Sequence, residues 1–178
     1  TQGYSSAASD VYKRQEYKIR FMLRKNVCEI MLDTTGDGLH KRGYRRNSME
    51  APIRETLAAT IADLGRVRRD SLVEDPFCGS GTLLIEAAQK AMNIAPGLKR
   101  RFAAERYSFV PAAIWAEQRQ KALADSKLDV GFEAFGYDID PAAVALANAN
   151  AKLAGVEKRC HFEVADVADF AARSEAIV

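Results

Sequence analysis

The stretch Asp75-Pro76-Phe77-Cys78-Gly79-Ser80-Gly81-Thr82 decides how this chain is read. Before it, Ser71-Leu72-Val73-Glu74-Asp75 has the short apolar run of a strand, broken at Pro76. After it, Leu83, Leu84, Ile85, Ala87, Ala88 and Met92 make a helix that is apolar almost all round, which predicts deep burial. A glycine turn between a strand and a helix is where open α/β sheets bind ligands. Gly79 and Gly81 permit a tight turn and close approach to the backbone, and the helix N-terminus beyond offers free N–H groups. Glycines at such turns are also often purely structural, and the bare Gly-x-Gly leaves both readings open.

Of two familiar ligand loops, the dinucleotide loop of an NAD-dependent oxidoreductase survives only weakly and the triphosphate loop is excluded. The dinucleotide fingerprint requires a third glycine where this chain has Leu84, and its ribose-binding acid comes about 20 residues on, far short of Asp138. No Gly-Lys-Ser/Thr follows the turn, which removes a triphosphate loop.

Further along, Glu133-Ala134-Phe135-Gly136-Tyr137 predicts a second strand that ends at Asp138, and Cys160-His161-Phe162-Glu163-Val164 a third that ends at Asp166. Between them Pro141 opens an alanine-rich helix that stops at Gly155. Any one of these aspartates could simply cap a turn or a helix. Three acids at successive strand ends can instead hold an adenosine, one accepting from ribose hydroxyls and another from the adenine amino group. Glu175-Ala176-Ile177-Val178 has the character of a fourth strand beginning.

Ahead of the turn, Ile53, Leu57, Ile61 and Leu64 form the apolar stripe of an amphipathic helix that opens near Pro52 and stops at Gly65. The alternation of helix and strand from residue 50 onward predicts a parallel sheet with helices on both faces. Earlier still, the runs Tyr17–Leu23 and Val27–Leu32 around Lys25-Asn26 predict a β-hairpin. Behind the hairpin, Lys41, Arg42, Arg45 and Arg46 surround Tyr44, a basic run that is either a phosphate-contacting face or solvated surface. Residues 1–15 are small and polar without periodicity, and read as a disordered or non-native leader. Trp115, in the charged stretch 93–131, reads as a packing residue.

The 178 residues are 48% hydrophobic and 28% charged, an ordinary globular mix that excludes a disordered or collagen-like chain. Twenty-six Lys and Arg against 24 Asp and Glu leave a net charge of +2, too small to imply a nucleic-acid partner by itself. Cys28, Cys78 and Cys160 stand far apart, and His40 and His161 complete no ligand cluster, so no metal is expected. No apolar run approaches the roughly 18 residues of a membrane span. The expectation is a cytoplasmic protein without membrane contact; the oligomeric state is not legible.

The octet Asp75–Thr82 with Glu86 resembles motif I of S-adenosylmethionine-dependent methyltransferases. More narrowly, the chain resembles the THUMP-associated bacterial 23S rRNA (guanine-N2) methyltransferase family of the large-subunit K/L type, formerly described as N6-adenine-specific DNA methylases. Leu39–Arg45, Ala51–Leu57, Asn93–Gly97 and Gly136–Pro141 carry the likeness on either side. The resemblance implies a Rossmann-like class I methyltransferase fold, of which this chain is the N-terminal half, preceded by a β-hairpin. It implies a hairpin and basic connector over residues 16–46 and the S-adenosylmethionine-binding part of the enzyme over 47–178.

It also implies a site. Asp75 and the turn Cys78, Gly79, Ser80 and Gly81 would hold the methionine moiety of S-adenosylmethionine, Asp138 would take the ribose hydroxyls, and Asp166 the adenine amino group with Val167 packing beside the ring; Thr82 and Ile139 would also bind the cofactor. Phe77 would be either a cofactor contact or core filler. Glu55 and Thr56 are weaker candidates for the cofactor's amino-acid end. Lys41, Arg42, Arg45 and Arg46 would contact RNA.

The family's catalytic Asn-Pro-Pro-Tyr positions the target amine and stacks on the flipped base. This chain has five prolines, none beside another, so the motif is absent. The expectation is the cofactor-binding part of an RNA methyltransferase, inactive alone, without its THUMP domain or catalytic motif. The alternatives are an N6-adenine methyltransferase, or a non-catalytic S-adenosylmethionine-binding module.

Overall fold

The computed structural model describes residues 8–10, 15–45 and 52–178. The described residues fall into two compact units, one within 1–39 and 101–118, the other within 40–100 and 119–178.

In the first unit, β1 (Ala8–Asp10) pairs antiparallel with β2 (Gln15–Tyr17), so four residues of the expected leader, Ala8–Asp10 and Gln15, are extended. β3 (Ile19–Arg24) and β4 (Val27–Leu32) form the expected hairpin. Lys25 and Asn26 both take positive φ, 50° and 62°, as a two-residue turn matched to strand twist requires. Residues 101–118 return to this unit. Ala103 and Ala104 donate to the carbonyls of Thr35 and Thr34, and Tyr107 donates its hydroxyl to the Asp33 carbonyl. Trp115 stacks on Phe102 with ring centroids 5.7 Å apart, a packing role.

The second unit is built on a parallel sheet. β5 (Leu72–Asp75), β6 (Glu133–Asp138) and β7 (Cys160–Val164) lie in that order, with Asp75 opposite Gly136 and Asp138 opposite Val164. Ile177 bridges parallel to Val73 on the other side of β5, the start of the fourth strand expected at Glu175–Val178. The chain thus steps outward from β5 through β6 to β7, then crosses back past β5. That reversal creates a switch point, the crevice where doubly wound sheets bind ligands.

The helices of this unit are α1 (Glu55–Leu64), α2 (Thr82–Ala91) and α4 (Pro141–Ala154). A further helix, α3, covers Ala112–Ala124. α2 and α4 pack on the sheet face that carries Gly136, Cys160 and Phe162, with Leu84, Ala147, Ala151 and Val156 buried there. α1 lies against α2. The opposite face carries Glu74 and Phe135, and the segment after β7 crosses it without forming an α-helix. On that face Arg173 lies 3.8 Å over the Phe135 ring and pairs with the buried Glu74 carboxylate. None of the described helices is long and apolar enough to cross a membrane.

α1 departs from its expected register. It begins at Glu55, three residues after Pro52, because the Ile53 carbonyl is taken by the Arg45 guanidinium at 2.9 Å. Its buried face is Glu55, Ala58 and Ala62, while Leu57 and Leu64 are 53% and 79% exposed. The large apolar residues suggested one stripe; the contact with α2 selects the small ones, which let two helices approach closely.

Gly81 is required where it stands. Its φ is +74°, and a Cβ there would lie 2.8 Å from the Phe162 ring and 3.0 Å from the Ala147 methyl. Gly81→Ala is therefore expected to lower unfolding stability by about 1–3 kcal/mol in a urea titration, the usual cost of a left-handed non-glycine residue. An unchanged midpoint would contradict this account of the turn.

Candidate functional site

The carboxyl ends of the three strands converge on the glycine turn. β5 delivers Asp75, β6 delivers Asp138, and Asp166 follows two residues after β7. The turn is built by local hydrogen bonds. Cys78 N–H donates to the Tyr137 carbonyl at 2.9 Å, and Gly81 N–H donates to the Cys78 carbonyl at 2.8 Å. Gly79 N–H donates to Asp138 Oδ2 at 2.9 Å across 59 residues of sequence. The other oxygen of Asp138 accepts from Asp140 N–H at 2.9 Å, and Asp140 in turn caps α4 by accepting from Ala142 N–H. Asp138 is thereby held in one orientation, while a carboxylate with about four lone-pair sites retains capacity for further donors.

Asp75 Oδ1 accepts from Phe77 N–H at 3.0 Å. Burial, joined by the nearby charge of Asp138, raises the Asp75 carboxyl above its ordinary range, against the lowering effect of the Phe77 hydrogen bond. Because its folded value is raised, Asp75 favours the fold below its unfolded-chain value, and that contribution is lost as pH rises through the folded value. A ligand cation between the two carboxylates would offset this cost. The same burial and the same two acids push the Cys78 thiol up to about 12, so it stays protonated and contributes no nucleophile.

Around these acids the surface is open and apolar. Phe77 is 71% and Ile139 70% exposed, so Phe77 is not core filler. Val167 is also exposed, beside Asp166, whose Oδ1 accepts from Ala168 N–H at 2.9 Å. A Cβ on Gly79, whose φ is +51°, would meet nothing within 4 Å, which leaves its backbone accessible. Ser80 and Thr82 instead point into the protein: their hydroxyl oxygens are 3.0 Å apart, and the Ser80 carbonyl accepts from Asn150 of α4 at 3.1 Å. The structure therefore brings Asp75, Phe77, Cys78, Gly79, Asp138, Ile139, Asp166 and Val167 to one end of the sheet, with Ser80, Gly81 and Thr82 supporting from beneath. No group of three or more His, Cys, Asp or Glu among the described residues is arranged to hold a metal ion.

The basic connector is a correction. Arg42 Nη2 donates to Glu86 Oε2 at 3.3 Å, and Arg45 Nη2 donates to Thr82 Oγ1 at 2.6 Å. Both side chains are turned inward because buried carboxylates of Glu55 and Glu86 require cations, so neither forms the expected RNA-contacting face. Tyr44, which they flank, is buried and donates its hydroxyl to Glu86 at 3.0 Å. Lys41 is exposed, and Arg46 lies outside the described residues. A signal for this cluster was present: Glu86 is a lone carboxylate in a helix otherwise apolar almost all round, and such a group needs a buried partner. Asn150, within an alanine-rich helix, is a second such signal.

An open parallel sheet with a switch point, a glycine turn and acid-bearing strand ends is the Rossmann-like architecture of the methyltransferase class. The RMKL-like methyltransferase domain family matches residues 42–178, and the chain belongs to that family. It is 41% identical over 160 residues to a Bacillus subtilis (strain 168) protein assigned as the RNA methyltransferase YpsC, covering 90% of this chain and 42% of that protein. It is 42% identical over 165 residues to the ribosomal RNA large subunit methyltransferase K/L of Shewanella baltica (strain OS195), covering 90% of this chain and 23% of that one. The chain thus spans less than half the length of these relatives. Among solved structures, SMU.472, assigned as a methyltransferase and complexed with SAH, superposes with a TM-score of 0.80 at 39% identity, covering 89% of this chain and 41% of that one.

The repulsion between the two acids makes a direct prediction. Replacing Asp138 by Asn should move the Asp75 titration, followed by carboxyl NMR, toward the ordinary carboxylate range. An unchanged Asp75 titration would contradict the coupling.

Proposed function

We propose that this chain binds S-adenosylmethionine and forms the cofactor part of an RNA methyltransferase, whose full-length form modifies guanine N2 of 23S rRNA in the cytoplasm. The observation that carries the reading is the meeting of Asp75 and Asp138 at the open Gly79 turn. Two partly desolvated carboxylates repel each other there and are suited to a ligand bearing cations, and S-adenosylmethionine carries both an ammonium and a sulfonium. The exposed Phe77, Ile139 and Val167 suit the ligand's adenosine, since apolar side chains at a cleft commonly await a ligand surface. The SAH bound by SMU.472, a relative of similar fold, supports the same assignment.

When bound, the cofactor supplies a methyl group on a sulfonium, open to in-line displacement by an amine. The chain's residues bind and orient. Asp138, fixed by two backbone N–H groups, accepts from the ribose hydroxyls. Asp75 and the Cys78–Gly81 turn face the methionine end, and Asp166 with Val167 the adenine. Positioning of this kind is most of what a displacement at a preformed methyl donor needs. The acceptor-positioning Asn-Pro-Pro-Tyr is not in the sequence, so the chain alone transfers no methyl group. Lys41 is retained as an RNA contact of the full-length protein.

Two outcomes test this. Calorimetric titration is expected to show S-adenosylmethionine binding whose affinity falls as pH drops and Asp75 becomes protonated; no binding to the folded chain would overturn the reading. Labelled cofactor with large-subunit rRNA is expected to give no incorporation by this chain, and N2-methylguanosine rather than N6-methyladenosine by the full-length protein. Turnover by the chain alone, or the adenine product, would contradict the corresponding claim.

A further inference from the structure

Arg45 comes from the connector and ends buried beside the glycine turn. Its side chain is 12% exposed; Nη2 donates to Thr82 Oγ1 at 2.6 Å and to the Ile53 carbonyl at 2.9 Å, and Nε lies 3.7 Å from Glu55 Oε1, an ion pair without a hydrogen bond. Thr82 is the first residue of α2, and its hydroxyl also meets that of Ser80. One guanidinium thus links the segment that enters α1 to the residue that closes the cofactor turn. Beside it, Arg42 and Tyr44 both reach Glu86, so two arginines and two glutamates balance within one buried cluster.

Such a cluster adds little net stability, because the cost of desolvating the charges offsets most of their attraction. What it fixes is position. A planar guanidinium can make both Nη2 hydrogen bonds while its Nε stays beside Glu55, a rigid fork that a lysine ammonium on a flexible stem matches poorly. The turn it braces has two left-handed glycines, Gly79 and Gly81, whose backbone freedom is large without outside support. A ligand site formed only part of the time loses affinity by that fraction.

We propose that Arg45 is a positioning residue of the methyl-donor pocket, holding the Gly79–Thr82 turn in its ligand-ready form through the Thr82 hydroxyl. This rests on the reading of that turn as the S-adenosylmethionine site. Arg45 touches no part of the ligand; it acts through Thr82 on the backbone that does.

The test is calorimetric titration with S-adenosylhomocysteine, with melting temperatures recorded, on the unsubstituted chain and on Arg45→Gln, Arg45→Lys, Thr82→Val, Thr82→Ser and the Arg45→Gln/Thr82→Val double variant. Arg45→Gln and Thr82→Val are each expected to weaken binding by about tenfold or more, the scale of one charge-assisted hydrogen bond. The double variant should bind no more weakly than either single one, as two ends of one contact require. Thr82→Ser, which keeps the hydroxyl, should bind like the unsubstituted chain, and Arg45→Lys should not restore affinity. No binding by the unsubstituted chain would overturn the pocket reading and this proposal with it. Binding by the unsubstituted chain with unchanged affinity in Arg45→Gln and Thr82→Val would overturn the role of Arg45 alone. If Arg45→Gln does not fold, the threonine variants decide: loss with valine and recovery with serine supports the proposal, and equal affinity in both overturns it.

Discussion

The hydrogen bond from the Gly79 N–H to the Asp138 carboxylate joins the two halves of the site, and much else follows from it. It ties the end of β6 to the turn after β5, so two strand ends become one surface. It can form only because Gly79 takes a left-handed φ and because β5 and β6 are paired in register, with Asp75 opposite Gly136. It also holds the Asp138 charge close to Asp75, which raises the Asp75 carboxyl beyond what burial alone does. The pocket's electrostatic character is in this sense a consequence of sheet register.

The surroundings serve that constraint from three directions. Below the turn, Phe162 and Ala147 leave no room for a side chain at position 81. Behind it, Asn150 reaches from α4 to the Ser80 carbonyl. From the connector, Arg45 takes the Thr82 hydroxyl, while its neighbour Arg42 pairs with Glu86, one turn further into α2, and Tyr44 donates a hydrogen bond to it. Residues far apart in sequence thus converge on one short segment, while Phe77 and Ile139 remain open to solvent beside it.

The parts of this arrangement that depend on local chemistry were legible in the sequence. The Lys25-Asn26 hairpin, the strand-turn-helix at Asp75–Thr82, and the acids at successive strand ends all announce themselves by residue type and spacing. The parts set by tertiary choice were not. α1 buries Ala58 and Ala62 rather than Leu57 and Leu64, because contact between helices rewards small residues, which periodicity of large apolar residues does not register. Arg42 and Arg45 read as surface charge, since a run of basic residues carries no sign of the carboxylates that will meet it. Glu86 and Asn150, polar residues on apolar helices, were the available hints.

The central claim is that the glycine turn and the acid-bearing strand ends form a single S-adenosylmethionine pocket. Backbone amide NMR during titration with S-adenosylhomocysteine tests it most directly. The account predicts concerted, saturable shifts at Gly79, Ser80, Gly81, Ile139, Asp140, Val167 and Ala168, with the amides of the β3–β4 hairpin unmoved. Shifts confined to another surface, or none at saturating ligand, would contradict it.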